Sequence, residues 1–222
     1  MDADALYGIL ALIIAIVLHE LAHGTVAYWL GDNTAKAQGR LTLNPLKHID
    51  QFGSILLPGL LYLTKAPFLF GWAKPVPINP MALRWNGVAH PRQLMALVAV
   101  AGPAMNFVLA ILAGLALYSG VWLEFWFDFL AINLLIGLFN LIPLPPMDGG
   151  RIAVGLLPLP LARVLARTER YGILLVAGLL FVLPLVLTQF GVNFDPFQET
   201  IGRVMPVAAR VVLQITGHTL GN

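Results

Sequence analysis

Between Asp4 and Asp32 the chain carries only three acidic, basic or imidazole side chains, His19, Glu20 and His23, and all three lie within one helical turn or so of each other. At about 1.5 Å per residue a helix over this stretch is long enough to cross a hydrocarbon core of about 30 Å with some tilt. Titratable groups are costly at that depth, so such a helix must turn them toward protein or a wet cavity. An isolated anchor cannot do this. The first span needs helical partners, and the fold class that follows is an all-α polytopic membrane protein.

Composition agrees with that solvent. Apolar residues make up 59% of 222 and charged ones 11%, against roughly a quarter charged in an ordinary soluble domain. Too few polar side chains remain to cover a water-facing globule, which excludes a soluble domain, a disordered tail and a nucleic-acid binder. Cysteine is absent, so disulfides, thiolate metal sites and cysteine nucleophiles are excluded, and any metal must be held by His, Asp or Glu. Met1-Asp2-Ala3-Asp4 lacks the basic region and small-residue cleavage site of a signal peptide, so the first span is expected to be retained.

Hydropathy and punctuation divide the rest into about four transmembrane helices plus a re-entrant segment and short membrane-associated β-strands. Residues 35–43 read as a hairpin around Gly39, and residues 74–79, with Pro75-Val76-Pro77, as extended chain. Residues 52–72 are apolar but broken by Pro58, Gly59, Lys65, Pro67 and Gly71, the pattern of a re-entrant element. Residues 93–118 and 125–147 are the second and third spans, and 171–190 the last. A single membrane domain over 1–222 is expected, with its core at 5–157 and an amphipathic tail at 193–222. Loop charges orient it. With Asp2 and Asp4 outside, Lys36, Arg40, Lys47, Lys74, Arg84 and Arg92 fall in the cytoplasm, the Glu124/Asp128 turn outside, and Arg151, Arg163, Arg167 and Arg170 inside. The N-terminus is therefore predicted outside and the polar site toward the cytoplasmic side.

His19-Glu20-Leu21-Ala22-His23 fits H-E-x-x-H. On a helix the two imidazoles share a face and can grip one zinc ion, while the glutamate beside them can take a proton from metal-bound water. A random shuffle of this composition holds roughly 0.002 such matches. A catalytic zinc site needs a third protein ligand and an open position, and Asp148 is the candidate. It follows Asn140-Leu141-Ile142-Pro143-Leu144-Pro145-Pro146-Met147, where prolines stop the helix, and precedes Gly149-Gly150, which lets the chain turn tightly.

Taken together, four motifs resemble those of the site-2 protease family, the M50 intramembrane zinc metalloproteases, in a compact form without a PDZ or nucleotide-sensing module. They are His19 to Gly24; Gly39-Arg40-Leu41-Thr42-Leu43-Asn44-Pro45 with His48 and Asp50; Ala101-Gly102-Pro103-Ala104-Met105-Asn106; and Asn140 to Gly150. The resemblance implies His19, His23 and Asp148 as ligands of one Zn2+ per chain, Glu20 as general base, and Asn140 as a residue that positions substrate or the oxyanion. The implied substrate is a transmembrane protein cut within or near its membrane segment, in regulated intramembrane proteolysis. Where family members often have Asp-Pro, this chain has Asp50-Gln51.

Asn106 is a candidate to orient a ligand, and His48 a candidate contact to ligand or substrate, with a hydrogen-bonded loop histidine as its plainer reading. His90 and His218 read as surface residues. Gly102-Pro103 reads as a place of close helix packing. Two other functions use the same buried polar set: a transporter with a proton relay through His19, Glu20, His23 and Asp148, and a catalytically silent membrane scaffold.

Overall fold

Alanine and glycine recur along the helix faces that meet, and they decide how closely the backbones approach. The computed structural model describes residues 3–65, 71–85 and 90–218. Among these every regular element is helical: α1 (Ala3–Trp29), α2 (Thr34–Ala37), α3 (Leu57–Leu63), α4 (Pro91–Ala116), α5 (Leu123–Asn140), α6 (Asp148–Leu156), α7 (Leu159–Thr168), α8 (Gly172–Ala177), α9 (Leu183–Gln189) and α10 (Pro196–Ile215). Four stretches are long and apolar enough to cross a membrane: Ala5–Trp29, Pro91–Ser119, Leu123–Asn140 and Leu159–Gln189.

The bundle is built on α1, α4 and α5, which pack against one another, with α6 against α4 and α10 against α4 and α5. Two apolar layers form its core. One joins Ala11 and Ala15 of α1 to Leu109, Ala110 and Ala113 of α4, Phe129, Leu130 and Leu134 of α5 and Val212 of α10. The other joins Ala27, Leu30, Leu83, Leu94 and Val98. Along α1 and α4 the residues between these layers are His19, His23, Gly102 and Asn106, so the polar site is a seam between two oily ones.

The expected β-strands do not form. Gly39 does turn the chain, with φ +62°, but it stops a helical turn rather than joining two strands. The Gly39 amide donates to the Lys36 carbonyl and the Arg40 amide to that of Ala35, the paired bonds of a glycine-terminated helix end. Residues 71–79 are extended without a partner strand. Pro75 and Pro77 have no N–H to give a ladder, and the donors that remain are spent elsewhere: Lys74 on the His48 carbonyl, Val76 on Glu20 and Asn79 on Asp32.

Other boundaries shift for equally local reasons. The third span ends at Asn140, seven residues before the expected 147, because Pro143, Pro145 and Pro146 withhold amides from any continuing helix. The last span starts earlier than expected, since α7 takes Arg163 and Arg167 into a helix that runs on toward α8 and α9. The apolar helix Gln51–Leu63 is too short to cross, and the Trp72 amide returns to the Gly53 carbonyl at 3.2 Å, so the segment comes back to its starting point; the broken region's Pro67 lies outside the described residues.

The tail is docked rather than peripheral. At one end of α10, Phe197 meets Phe139 edge-on with ring centroids 5.5 Å apart. Beyond its other end His218 stacks on Tyr118 at 4.2 Å and donates from Nε2 to the Gly114 carbonyl at 2.8 Å. His218 is thus a structural contact, not the surface residue expected. His90 is exposed, and its amide donates to the Gln93 side chain at the start of α4.

Candidate metal centre

Helical spacing puts His19 and His23 one turn apart on the buried face of α1, and both are less than a tenth exposed. Asp148 reaches them from the first position of α6 and is buried to the same degree. What allows this approach is the turn before it. Gly149 and Gly150 pack directly on the backbone of residues 141–145, where a Cβ on Gly149 would stand 2.5 Å from the Leu141 carbonyl carbon and one on Gly150 2.6 Å from that of Leu144. No side chain fits at either place. The opposite wall is Gly102 of α4, where a Cβ would stand 2.6 Å from His19 Nε2 and closer still to His23 Nε2.

Three atoms converge in that space. His23 Nε2 lies 3.0 Å from His19 Nε2 and 3.1 Å from Asp148 Oδ2, and His19 Nε2 lies 3.2 Å from Asp148 Oδ2. The outer ring nitrogens fix the tautomers. His23 Nδ1 is 2.7 Å from the Val98 carbonyl oxygen, which can only accept, so Nδ1 carries the proton and Nε2 of the neutral ring is bare. His19 Nδ1 is 2.6 Å from Asn106 Oδ1 and is protonated by the same logic. With both rings neutral, two bare nitrogens and a carboxylate oxygen face one another, a set that a metal cation would satisfy. A tetrahedral zinc with arms of about 2.0–2.1 Å sets its ligands about 3.3 Å apart, close to the three distances observed. The donor set suits zinc, and no other His, Asp or Glu among the described residues joins the group.

Glu20 is half-buried beside this triangle, and its Oε2 accepts the Val76 amide at 2.8 Å. Gly24, one turn further along α1, makes room for that contact, because a Cβ there would press on Leu41 and on Val76 at 2.9 Å. Arg40, itself buried, holds the same extended segment from the other side by donating to the carbonyl oxygens of Lys74 (2.9 Å) and Pro75 (3.3 Å).

The remaining predicted residues separate. Asn106 is fully buried, with its Oδ1 2.6 Å from His19 Nδ1. Asn140 is half-buried at the end of α5 and donates to the Ile136 carbonyl of its own helix at 3.0 Å. His48 is buried and donates from Nε2 to the Thr42 carbonyl at 2.9 Å, which makes it a loop brace. Gly102 was legible as a packing position but not as a wall of the site. Asn133 was missed altogether. It is fully buried and accepts from the Asn106 side chain at 2.9 Å. A lone amide in the apolar run of α5 was the available signal.

Helices of membrane-spanning length packed around a buried group of two histidines and an aspartate that could hold a metal ion fit the class of helical membrane metalloproteins. Sequence comparison makes the class specific. The model of peptidase family M50 matches residues 7–121 and 113–185. The chain is 41% identical over 192 residues to the putative zinc metalloprotease YwhC of Bacillus subtilis, covering 81% of each chain. It is 33% identical over 188 residues to the putative zinc metalloprotease Rip2 of Mycolicibacterium smegmatis, covering 78% of this chain and 68% of that one. A shorter match of 45 residues, 44% identical, joins 20% of this chain to 11% of the zinc metalloprotease Rip1 of the same organism. No solved structure matches. The chain belongs to peptidase family M50, whose members are zinc metalloproteases, and it is an integral membrane protein.

Proposed function

We propose that the chain hydrolyses peptide bonds within or near the transmembrane segments of membrane-protein substrates, as one domain over residues 1–222. His19, His23 and Asp148 hold zinc, and Glu20 is the general base. The observation that carries this reading is the convergence of two histidine nitrogens and a carboxylate oxygen within 3.2 Å of one another in the bundle interior, one residue away from a second carboxylate.

Zinc held there supplies Lewis acidity, polarising the scissile carbonyl and bringing the pKa of water at the site to about 7. Glu20 takes a proton as that water attacks and returns it to the leaving amine. Its Oε2 accepts the amide N–H of Val76. The apolar layers on both sides limit water to what the site itself admits. Asn140, at the helix end that leads into the Asp148 turn, positions the substrate peptide.

Purification in detergent, metal analysis and cleavage of a model transmembrane peptide test the reading. Wild type should carry about one zinc per chain and cut the peptide. Glu20→Gln should keep the metal and lose cleavage by about 10²-fold or more, the usual contribution of a general base. Zinc without cleavage by wild type would instead support a scaffold, and a metal-free protein would end the protease reading. An N-terminus outside and a site toward the cytoplasm are read from loop charges. Because the chain has no cysteine, Ser119→Cys should label from outside and Lys47→Cys from the cytoplasmic side; the reverse pattern inverts the topology.

A further inference from the structure

From His19 on α1 two amide side chains continue in line, Asn106 of α4 and Asn133 of α5, and the direction of every hydrogen bond in that line is set at its far end. The Phe129 carbonyl oxygen, on α5, can only accept, so at 2.8 Å it orients the Asn133 amide with its nitrogen toward Phe129. Asn133 Oδ1 is then turned to α4, where it accepts from the Asn106 nitrogen at 2.9 Å. Asn106 Oδ1 is in turn left facing His19 Nδ1 at 2.6 Å. Asn106 and Asn133 are both fully buried, so no water is at hand to substitute for either, and a flipped amide would leave two buried groups unpaired.

We propose that Asn133 is a positioning residue that, through Asn106, fixes His19 as the Nδ1–H tautomer and so keeps Nε2 bare for zinc. Without Asn133, Asn106 has no reason to present oxygen rather than nitrogen to His19. Were Asn106 flipped, its NH2 would face Nδ1, the ring would hold its proton on Nε2, and the lone pair would be lost from the triangle. His23 needs no such device, because a backbone carbonyl fixes it directly. The dependence is therefore one-sided: His19 is held through two side chains, His23 through none. This inference rests on the zinc reading above.

The test compares wild type, Asn133→Leu and Asn133→Asp as full-length protein in detergent. Zinc affinity is measured by competition with a chelator, and the His19 tautomer by 15N chemical shifts of the metal-free protein. Asn133→Leu should weaken zinc binding about 10- to 100-fold, the usual consequence of losing an outer partner of a ligating histidine, and should populate the Nε2–H form of His19 but not of His23. Asn133→Asp, kept neutral by burial, can donate to Phe129 and accept from Asn106 as asparagine does, and should recover most of the affinity. A folded Asn133→Leu with wild-type zinc affinity and a single His19 tautomer overturns the proposal while leaving the zinc site intact. If Asn133→Leu does not fold, an Nε2–H resonance for His19 in the metal-free wild type is sufficient to overturn it. A wild type that binds no zinc fails the metal-site reading itself, and the tautomer signals still decide whether Asn133 orients His19.

Discussion

Replacing Gly102 by alanine should empty the metal site while leaving the bundle folded. The added Cβ would stand 2.6 Å from His19 Nε2 and His19 Cε1, and nearer to His23 Nε2. Ordinary contact requires about 3.5 Å, so close to 1 Å must be found. The imidazoles cannot yield it alone. His23 is tied to the Val98 carbonyl and His19 to the Asn106 side chain, and both anchors sit on α4, one turn to either side of Gly102 itself. If α4 retreats, it drags both rings with it and pulls them off Asp148; if the rings rotate, their Nδ1 bonds break. A zinc site tolerates about 0.2 Å of error in its ligand distances. Loss of an outer partner alone costs about 10- to 100-fold in affinity, so displacement of the ligands should cost more than 100-fold. Alanine meanwhile favours a helix over glycine by about 1 kcal/mol, so circular dichroism should show undiminished helix. Chelator competition and metal content, measured beside helicity, form the assay. A folded Gly102→Ala that binds zinc as wild type does would refute the argument, because the metal would then lie somewhere Gly102 does not wall.

The other predictions address the supports of the site. Gly149→Ala puts a Cβ against backbone that cannot swing aside; it should destabilise the protein by about 1–3 kcal/mol or more and weaken zinc binding, read as a lower unfolding midpoint and reduced metal content. Asp32, past the end of α1, is buried, which alone would raise its pKa, but hydrogen bonds from the Thr34 hydroxyl and from the amides of Asn79 and Thr34 hold the carboxyl below its usual range. A lowered folded-state pKa gives stability that is present above the unfolded value of about 3.9 and lost as pH falls through the folded value. Asp32→Asn should therefore be less stable than wild type at neutral pH, by about 1–3 kcal/mol, with the gap closing below pH about 4 in thermal melts taken across pH.

The histidine pair of α1 was readable because helical period is enforced by the backbone: His19 and His23 at i and i+4 share a face whatever surrounds them. Asp148 was readable by need, as a carboxylate at depth beside a proline-rich break. The four spans follow from hydropathy, but their ends do not, and α5 stops at Asn140 because of amides that the following prolines lack. Gly39 shows why local signals mislead. A left-handed glycine serves both a hairpin and a helix end, and only the bonds from Arg40 to Ala35 and Gly39 to Lys36 distinguish them. Asn133 was overlooked because its meaning is tertiary: an amide in an apolar run says nothing of which partner it orients until α4 is placed beside α5. The docking of His218 on Tyr118 joins residues a hundred positions apart and leaves no periodicity to find.

The contact between Val76 and Glu20 also bears on how a protease keeps from digesting itself. An extended piece of the protein's own chain lies against the proposed base. The Val76 N–H faces Glu20, and the carbonyl of the same peptide unit faces Arg40. In a trans peptide these two groups point opposite ways, so the carbonyl that would have to be attacked is turned away from Glu20. Pro75 and Pro77 fix the backbone on either side, which makes turning the unit over costly. If Glu20 is the base, the peptide unit nearest to it is held with its carbonyl on the far side, out of reach of attack.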